Sequence, residues 1–138
     1  MKAYLDSSVV LRIIFGEPDS IDVGAVPEYT VASEILKIEC FRTLDRMRHG
    51  LRLHDDDVAE RSAFLHVALK TIKFIKLNDE IMDRASRPFP VVVKTLDAIH
   101  LSTALVWQQE KKEPISFFTH HEQLARAAKA LGFQILGC

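Results

Sequence analysis

An aspartate lies within an apolar helical stretch, TLDAIHLSTAL, where a charge is costly. Spacings of four and seven residues place Asp97 on the same helical face as Leu101 and Ala104. A carboxylate taken out of water without a partner loses more free energy than an ordinary contact returns. Asp97 therefore needs a partner, which is a helix N-terminus or a basic side chain in one interpretation and a bound cation in another.

Two further acids are expected near Asp97. Asp6 directly follows a short apolar strand, so its carboxylate should point out of the carboxyl edge of a sheet. Glu39 shares a helical face with Ile35 and Thr43 rather than pointing cleanly to solvent. Like charges brought close together raise one another's pKa, and a divalent cation between them removes that cost. Oxygen ligands select Mg²⁺ or Mn²⁺, but separate capping and salt-bridge roles for the three acids remain open at this point.

The elements that must position these acids are strands that alternate with helices. Ser33 is expected to N-cap the second helix, and the helix that contains Asp97 is expected to end near Trp107. This alternation predicts an α/β fold whose parallel sheet is covered on both faces. Sites in open sheets of this kind form outside the carboxyl ends of the strands, where Asp6 and Thr119 are expected. Apolar runs place the strands near residues 3–5, 29–33, 73–77, 115–119 and 133–136.

Composition limits the classes of protein to which the chain can belong. The 138 residues suit one ordinary domain, and no linker divides them. A formal net charge of −1 excludes a general electrostatic attraction to nucleic acid, so such a partner would need a local basic surface. Cys40 and Cys138 have no metal-ligand spacing and suit a reducing cytosol as free thiols. No apolar run reaches the length of a signal peptide or a membrane span, and a cytoplasmic location is expected.

Four sequence blocks together resemble one known family. In chain order they are YLDSSVVL, ASEILKIECFRTL, LDAIHLSTAL and SFFTHHEQLARAAKALGFQIL. Together they resemble a PIN-domain ribonuclease, and within that group the VapC toxins of bacterial and archaeal toxin–antitoxin pairs. The likeness runs from residue 2 to residue 136, although residues 50–90 match in layout only. It implies a three-layer α/β/α sandwich with a central parallel sheet, formed by a single PIN-like domain over residues 1–138.

The resemblance also implies roles for individual residues. Asp6 matches the family's first aspartate, Glu39 the acid of its E-x-x-R helix, and Asp97 the aspartate of D-A-x-H-L-A-T-A. Asp6 and Asp97 are then expected to hold Mg²⁺ or Mn²⁺ directly, and Glu39 to bind the ion or to orient one of its waters. Glu34 is interpreted as an exposed first-turn residue. Thr119 matches the hydroxyl residue that closes the fourth strand.

His121 departs from the family pattern, which has an aspartate at this position in T-x-D-x-x-L. A neutral imidazole brings no negative charge and suits softer ions. Three outcomes are open: a weakened metal site that keeps activity, a histidine that gives a proton to the leaving group or contacts a phosphate, and a disabled nuclease. A small shift of the loop that contains His121 could bring the carboxylate of Glu122 to the metal site instead. His100, one turn after Asp97, is expected to pack on its helix face and bond locally rather than act as a general base.

The function expected from the resemblance is that of a metal-dependent endoribonuclease, the toxin of a VapBC-type pair. Its partners would be structured RNA, a small VapB-type antitoxin and a second copy of the chain in a homodimer. Ser7 and Thr119 are placed to orient a carboxylate or a water. The candidates for contact with RNA are Arg12, Lys37, Arg42 and Arg46, each of which could equally be an ordinary solvated surface residue, and Arg42 could pair with Glu39.

Two other functions are considered. A PIN domain without catalysis could bind RNA or protein, and this alternative gains if His121 abolishes metal binding. A phosphatase of the haloacid dehalogenase type would use an aspartate after the first strand as its nucleophile. That chemistry wants a second aspartate two residues after Asp6, where this chain has Ser8.

Overall fold

One or two α-helices separate each strand from the next along the chain, as the sequence pattern predicts. The computed structural model describes residues 1–50 and 53–138. The strands are β1 (Lys2–Leu5), β2 (Tyr29–Ser33), β3 (Ile72–Ile75), β4 (Ser116–Phe118) and β5 (Gln134–Leu136). The helices are α1 (Ser7–Ile14), α2 (Ile35–Gly50), α3 (Asp55–Lys70), α4 (Asp79–Ala85), α5 (Thr95–Lys111) and α6 (Glu122–Ala130), with a short 3-10 helix at Val23–Ala25.

The five strands form one parallel sheet in the order β3-β2-β1-β4-β5. The chain builds outward from β1 to β2 and β3, then returns to the other side of β1 to add β4 and β5. The strand order therefore reverses at β1. Leu5 at the end of β1 is in register with Phe118 at the end of β4. The crevice outside these two carboxyl ends is where open parallel sheets place their sites.

Alternating residues of β1 divide the core between the two faces of the sheet. Ala3 and Leu5 pack in one cluster with residues of α1, α2 and α3. Tyr4 packs in the other cluster with Leu101 of α5 and Leu124 of α6. Each of these two leucines is fully buried, which contributes roughly 1.5–3 kcal/mol to stability. Helices thus cover both faces of the sheet, and the predicted three-layer α/β/α sandwich is confirmed.

The second helix starts later than the sequence predicts. Ser33 is the last residue of β2 rather than an N-cap, and α2 begins at Ile35. The reason lies in the neighbouring strand, because the backbone N–H of Glu34 donates to the carbonyl of Ile75 at 3.0 Å and continues the sheet pairing. The Ser33 hydroxyl still accepts a hydrogen bond from the N–H of Ile35 at 3.3 Å.

The fifth helix is longer than predicted. It continues past Trp107 to Lys111, because the intervening glutamines and charged residues are good helix formers. It ends where Lys112 adopts a left-handed backbone conformation, with φ of 54°, two residues before Pro114. As predicted, Cys40 is a buried free thiol and Cys138 an exposed one. In the part of the chain that the structure describes, no helix combines the length and apolar composition needed to cross a bilayer.

Candidate active site

Asp6 lies at the carboxyl end of β1, in the crevice where the strand order reverses. It is the N-cap of α1, and its Oδ1 accepts hydrogen bonds from the N–H of Ser8 at 2.9 Å and the hydroxyl of Ser7 at 3.2 Å. Its Oδ2 accepts from the hydroxyl of Ser8 at 2.8 Å and from the hydroxyl of Thr119. These four donors satisfy a side chain that is only 4% exposed. Ser7 and Thr119 therefore both contact the carboxylate that they were expected to orient.

Asp97 comes from α5 on the same edge of the sheet. It lies in the first turn of the helix, its side chain is 15% exposed, and its Oδ2 is 3.4 Å from Nδ1 of His121. Burial raises the pKa of Asp97, and the charges of Asp6 and Glu39 raise it further, against the opposing effects of His121 and His100. Asp6, Glu39 and Asp97 therefore all contribute negative charge to this edge of the sheet.

The raised pKa of Asp97 has a consequence for stability. Its carboxyl holds a proton to higher pH in the folded protein than in the unfolded chain, so its ionisation destabilises the fold at neutral pH. We therefore expect Asp97→Asn to raise the Tm of the metal-free protein at pH 7. The gain should shrink as the pH falls through the raised pKa toward the ordinary value of 3.8, because the wild-type carboxyl is then protonated too. Thermal unfolding of both proteins at several pH values measures this, and an equal Tm at pH 7 would contradict it.

Glu39 reaches the same region from α2. Its Oε1 is 2.6 Å from Nε2 of His100, and its side chain is 19% exposed. Ser7, Glu39 and Leu96 line a groove of about 440 Å³ that also runs past Arg42 and Arg46. The groove therefore begins beside Glu39 and the residues next to Asp6 and Asp97, and it continues along α2.

His100 is buried, as predicted, but its hydrogen bonds are not local. Its Nδ1 is 2.7 Å from the hydroxyl of Tyr4, 96 positions away, and its Nε2 meets Glu39, 61 positions away. Burial lowers the pKa of His100, but the hydrogen bond to Glu39 and the charges of the three acids outweigh it, so the pKa is raised. For Tyr4, whose charged form is the anion, burial raises the pKa well above its ordinary value. The expectation of a local partner was wrong because the ring points across the sheet edge, not along its own helix.

The four basic candidates fall into two groups. Arg42 and Arg46 line the groove beside Glu39. Arg42 donates to Asp45 at 3.3 Å, so the suggested pairing with Glu39 is not formed. Arg46 donates to the hydroxyl of Thr43 at 3.0 Å.

The other two candidates, Arg12 and Lys37, contact residues that do not line this groove. Arg12 forms ion pairs with Asp19 and, at 3.6 Å, with Glu17. The Lys37 ammonium stands 4.3 Å from the centre of the Phe74 ring. None of these contacts of Arg12 and Lys37 involves Asp6, Glu39 or Asp97.

Glu34 differs from its interpretation as an exposed first-turn residue. It precedes α2 and is half-buried, and its Oε2 accepts a hydrogen bond from the N–H of Leu77 at 2.6 Å. The contact continues the pairing between the ends of β2 and β3. Glu34 therefore contributes to the structure of the sheet edge rather than to the acid cluster.

Three polar residues at this edge were not singled out by the sequence. Tyr4 could have been found, since the hydroxyl of a tyrosine in a buried strand needs a hydrogen-bond partner. The sequence marks Ser8 only as a departure from the phosphatase pattern, although Ser8 binds Asp6 through both its backbone and its side chain. His120 accepts from the N–H of Ile21 at 3.2 Å and contacts the carbonyl of Gly137 at 3.0 Å. No local sequence signal marks that last set of contacts.

The chemistry of the donors fits a hard cation, because the three acids supply only oxygen ligands. The side chains are not arranged around one point, however. Within residues 1–50 and 53–138, no group of three or more His, Cys, Asp or Glu side chains is close enough to hold a metal. Asp6 accepts four hydrogen bonds, Glu39 meets His100 and Asp97 meets His121. Metal binding would require these carboxylates to exchange some of their present contacts.

The five-stranded parallel sheet with acids at its switch point is the architecture of a PIN domain. The PIN domain profile matches residues 3–130, and the chain belongs to this family. It is 29% identical over 139 residues to "Ribonuclease VapC46" of Mycobacterium tuberculosis (strain ATCC 25618 / H37Rv), covering 96% of this chain and 95% of that protein. It is 24% identical over 131 residues to "Ribonuclease VapC47" of Mycobacterium tuberculosis (strain CDC 1551 / Oshkosh), covering 94% and 92%. The resemblance to VapC ribonucleases is confirmed over nearly the full length.

Solved structures show the same fold at lower sequence identity. A chain of the "Toxin-antitoxin complex from Klebsiella pneumoniae" superposes with a TM-score of 0.66 at 17% identity, over 97% of this chain and 95% of that one. A chain of VapBC2 from Rickettsia felis, bound to a DNA fragment from their promoter, gives a TM-score of 0.65 at 11% identity, over 99% and 98%. PIN nucleases are generally metal-dependent, which agrees with the oxygen donors at this edge.

Proposed function

We propose that the protein is a metal-dependent endoribonuclease and the toxin of a VapBC-type toxin–antitoxin pair, working as one PIN-like domain over residues 1–138. Membership of the PIN family and homology to two VapC ribonucleases support RNA as the substrate. The observation that carries the proposal is that three acids from separate segments lie at the switch-point edge of the sheet: Asp6 bonded to Thr119, Glu39 to His100, and Asp97 beside His121.

The proposed ligands of a Mg²⁺ or Mn²⁺ ion are Asp6 and Asp97. Glu39 would bind the same ion or accept a hydrogen bond from one of its waters. When bound, such an ion lowers the pKa of a water and offsets negative charge on the phosphoryl oxygens. Ser7 and Thr119 hold the carboxylate of Asp6 in place through their hydroxyls.

The RNA would be bound beside the acids. Arg42 and Arg46 line the groove that starts at Glu39, and they are the best-placed cations for a phosphate backbone. Arg12 and Lys37 would act only at the outer rim, since Arg12 is held in surface ion pairs and Lys37 lies on Phe74. A local arrangement of this kind suits a chain whose net charge is −1.

A VapB-type antitoxin is the proposed protein partner. The two fold neighbours are described as a toxin-antitoxin complex and as VapBC2, which supports a partner of this class. Ile38 and Leu96 give the groove beside the acids an exposed apolar rim on which an antitoxin segment could pack. We also propose a homodimer, on the resemblance to VapC toxins alone. The apolar residues of LRIIF and FRTLDRM, which the sequence suggested for the antitoxin or the dimer surface, belong largely to the core: Ile14 and Leu44 are buried, and Leu11, Ile13 and Phe41 pack against it.

One observation favours a second function, that of a PIN domain that binds RNA or protein without cutting. His121 replaces the aspartate of the family pattern, and its ring lies against Asp97 rather than adding a carboxylate to the cluster. In this alternative the edge of the sheet would still bind a partner. It would bind the cation too weakly for catalysis.

An RNA cleavage assay distinguishes the two functions. The purified protein, free of antitoxin, is incubated with structured RNA such as a transfer RNA pool, in Mg²⁺, in Mn²⁺ and in EDTA. We expect discrete fragments with either ion, a loss of cleavage in EDTA of at least about 100-fold, and recovery when Mn²⁺ is added back. Cleavage that persists in EDTA would contradict the proposed metal dependence. RNA binding without cleavage in either ion would favour the second function.

A further inference from the structure

A buried chain of hydrogen bonds connects the edge of β2 to one of the acids. The backbone N–H of Ser33 donates to the hydroxyl of Tyr4 at 3.2 Å, that hydroxyl lies 2.7 Å from Nδ1 of His100, and Nε2 of His100 lies 2.6 Å from Oε1 of Glu39. Ser33 and Tyr4 are 0% exposed and His100 is 1% exposed. We call this series of contacts the Tyr4–His100–Glu39 chain.

The donors of this chain can be assigned from one fixed point. The backbone N–H of Ser33 can only donate, so the Tyr4 oxygen accepts there and is free to give its own hydrogen to Nδ1 of His100. A neutral His100 that accepts at Nδ1 carries its hydrogen on Nε2, and a protonated His100 carries hydrogens on both ring nitrogens. In both states every contact in the series is satisfied, and Nε2 of His100 is the donor to the carboxylate of Glu39.

The three side chains of this series belong to elements that carry the acids or directly precede them. Tyr4 is on β1, two residues before Asp6. His100 is on α5, three residues after Asp97, and Glu39 is itself on α2. The chain therefore ties together β1, α5 and α2 directly behind the carboxylates. A glutamate on a helix has several rotatable bonds, and repulsion by Asp6 and Asp97 would otherwise favour rotamers that turn it away from them.

We propose that Tyr4 and His100 are positioning residues, which hold Glu39 beside Asp6 and Asp97 and so prepare the three acids for a divalent cation. The inference rests on the proposed function, because it assigns Tyr4 and His100 to the same metal site. Partners behind the ligands of a metal commonly change its affinity when they are removed. The Tyr4–His100–Glu39 chain would do this through Glu39 without touching the ion.

The test is the affinity for Mn²⁺, measured by calorimetry on the full-length protein without antitoxin. Tyr4→Phe removes only the hydroxyl and keeps the ring that stacks on Phe117, with ring centres 5.0 Å apart. We expect it to weaken Mn²⁺ binding by about 3–10-fold, and His100→Leu by about 10–100-fold. His100→Gln, which keeps an N–H donor toward Glu39, should recover part of that loss. Cleavage by Tyr4→Phe should be reduced at limiting Mn²⁺ and return toward wild type at saturating Mn²⁺.

Phe117→Leu is the matched control. Phe117 is fully buried against Tyr4 and is not part of the Tyr4–His100–Glu39 chain, so its replacement should lower Tm and leave Mn²⁺ affinity unchanged. Equal Mn²⁺ affinity in wild type and Tyr4→Phe would overturn the inference and leave the proposed function standing. Weakened binding in Phe117→Leu as well would assign the effect to loss of packing and also overturn it. No Mn²⁺ binding by the wild type would contradict the proposed function itself. Tyr4→Phe alone decides the matter if His100→Leu does not fold.

Discussion

Replacing Asp6 with asparagine is expected to lower kcat/KM for RNA cleavage by at least about 100-fold, because it removes the charge of a proposed metal ligand. The fold should survive. Asparagine is as good an N-cap as aspartate, so the hydrogen bond from the N–H of Ser8 that starts α1 can be kept. The hydroxyls of Ser8 and Thr119 can rotate to suit an amide. Steady-state cleavage in Mn²⁺, together with a thermal melt, measures both parts of the prediction.

Asp19→Asn is the control for the loss of a negative charge. Asp19 pairs with Arg12 on the surface and its side chain is 66% exposed, so its replacement should change cleavage less than about twofold. A cleavage rate within a few-fold of wild type for Asp6→Asn would contradict the assignment of this carboxylate. An equal loss of activity in both variants would trace the effect to net charge instead.

Gly137→Ala is expected to destabilise the protein by about 2–3 kcal/mol and to impair cleavage as well. Gly137 has φ of +103°, where a side chain is strained, and an added Cβ would overlap the carbonyl oxygen of Thr119 and lie 3.0 Å from Cδ1 of Ile21. Thr119 pairs with Leu136 through its backbone and donates to Asp6 through its hydroxyl. A shift of this segment should therefore reach the acid cluster. Denaturant unfolding and the cleavage assay measure the two effects.

Gly132→Ala separates the two causes of that loss. Gly132 also has a positive φ, of +93°, but an added Cβ would meet nothing within 4 Å. Its replacement should cost only the backbone strain, about 1 kcal/mol, and leave cleavage unchanged. If Gly132→Ala and Gly137→Ala had the same effect on stability and on activity, the close approach to Thr119 would not matter.

The fold could be predicted because its signals are local. Short apolar runs separated by helical patterns give a parallel sheet covered on both faces, and the structure has that arrangement. Two element boundaries were predicted wrongly, and only the first of these errors was caused by a distant segment. Ser33 belongs to β2 because β3, about 40 residues later, pairs with the N–H of Glu34, although the Ser33 hydroxyl still accepts from Ile35 as an N-cap would. The end of α5 was placed too early, since a polar tail can continue a helix as well as end it.

In the candidate site, the sequence identifies the acids but not the residues to which they are hydrogen-bonded. Asp6 and Asp97 stand out from their neighbours, one after a buried strand and one in an apolar helix, and the structure brings them to one edge. Glu39 could be identified only from the helical face that it shares with Ile35. The hydrogen-bond partners could not be read from the sequence, because His100 reaches Glu39 and Tyr4 across long sequence separations. For His121 the sequence left several roles open, and only the structure shows that its ring meets Asp97.

The most direct test of the account is the position of a bound manganese ion. Crystals of the protein soaked in Mn²⁺ would be examined by anomalous diffraction. We expect a peak about 2.1–2.2 Å from carboxylate oxygens of Asp6 and Asp97, with Glu39 bound directly or through a water. A peak elsewhere, for example at Asp55, Asp56 and Asp57 in the first turn of α3, or no peak at an otherwise well-ordered edge, would contradict it.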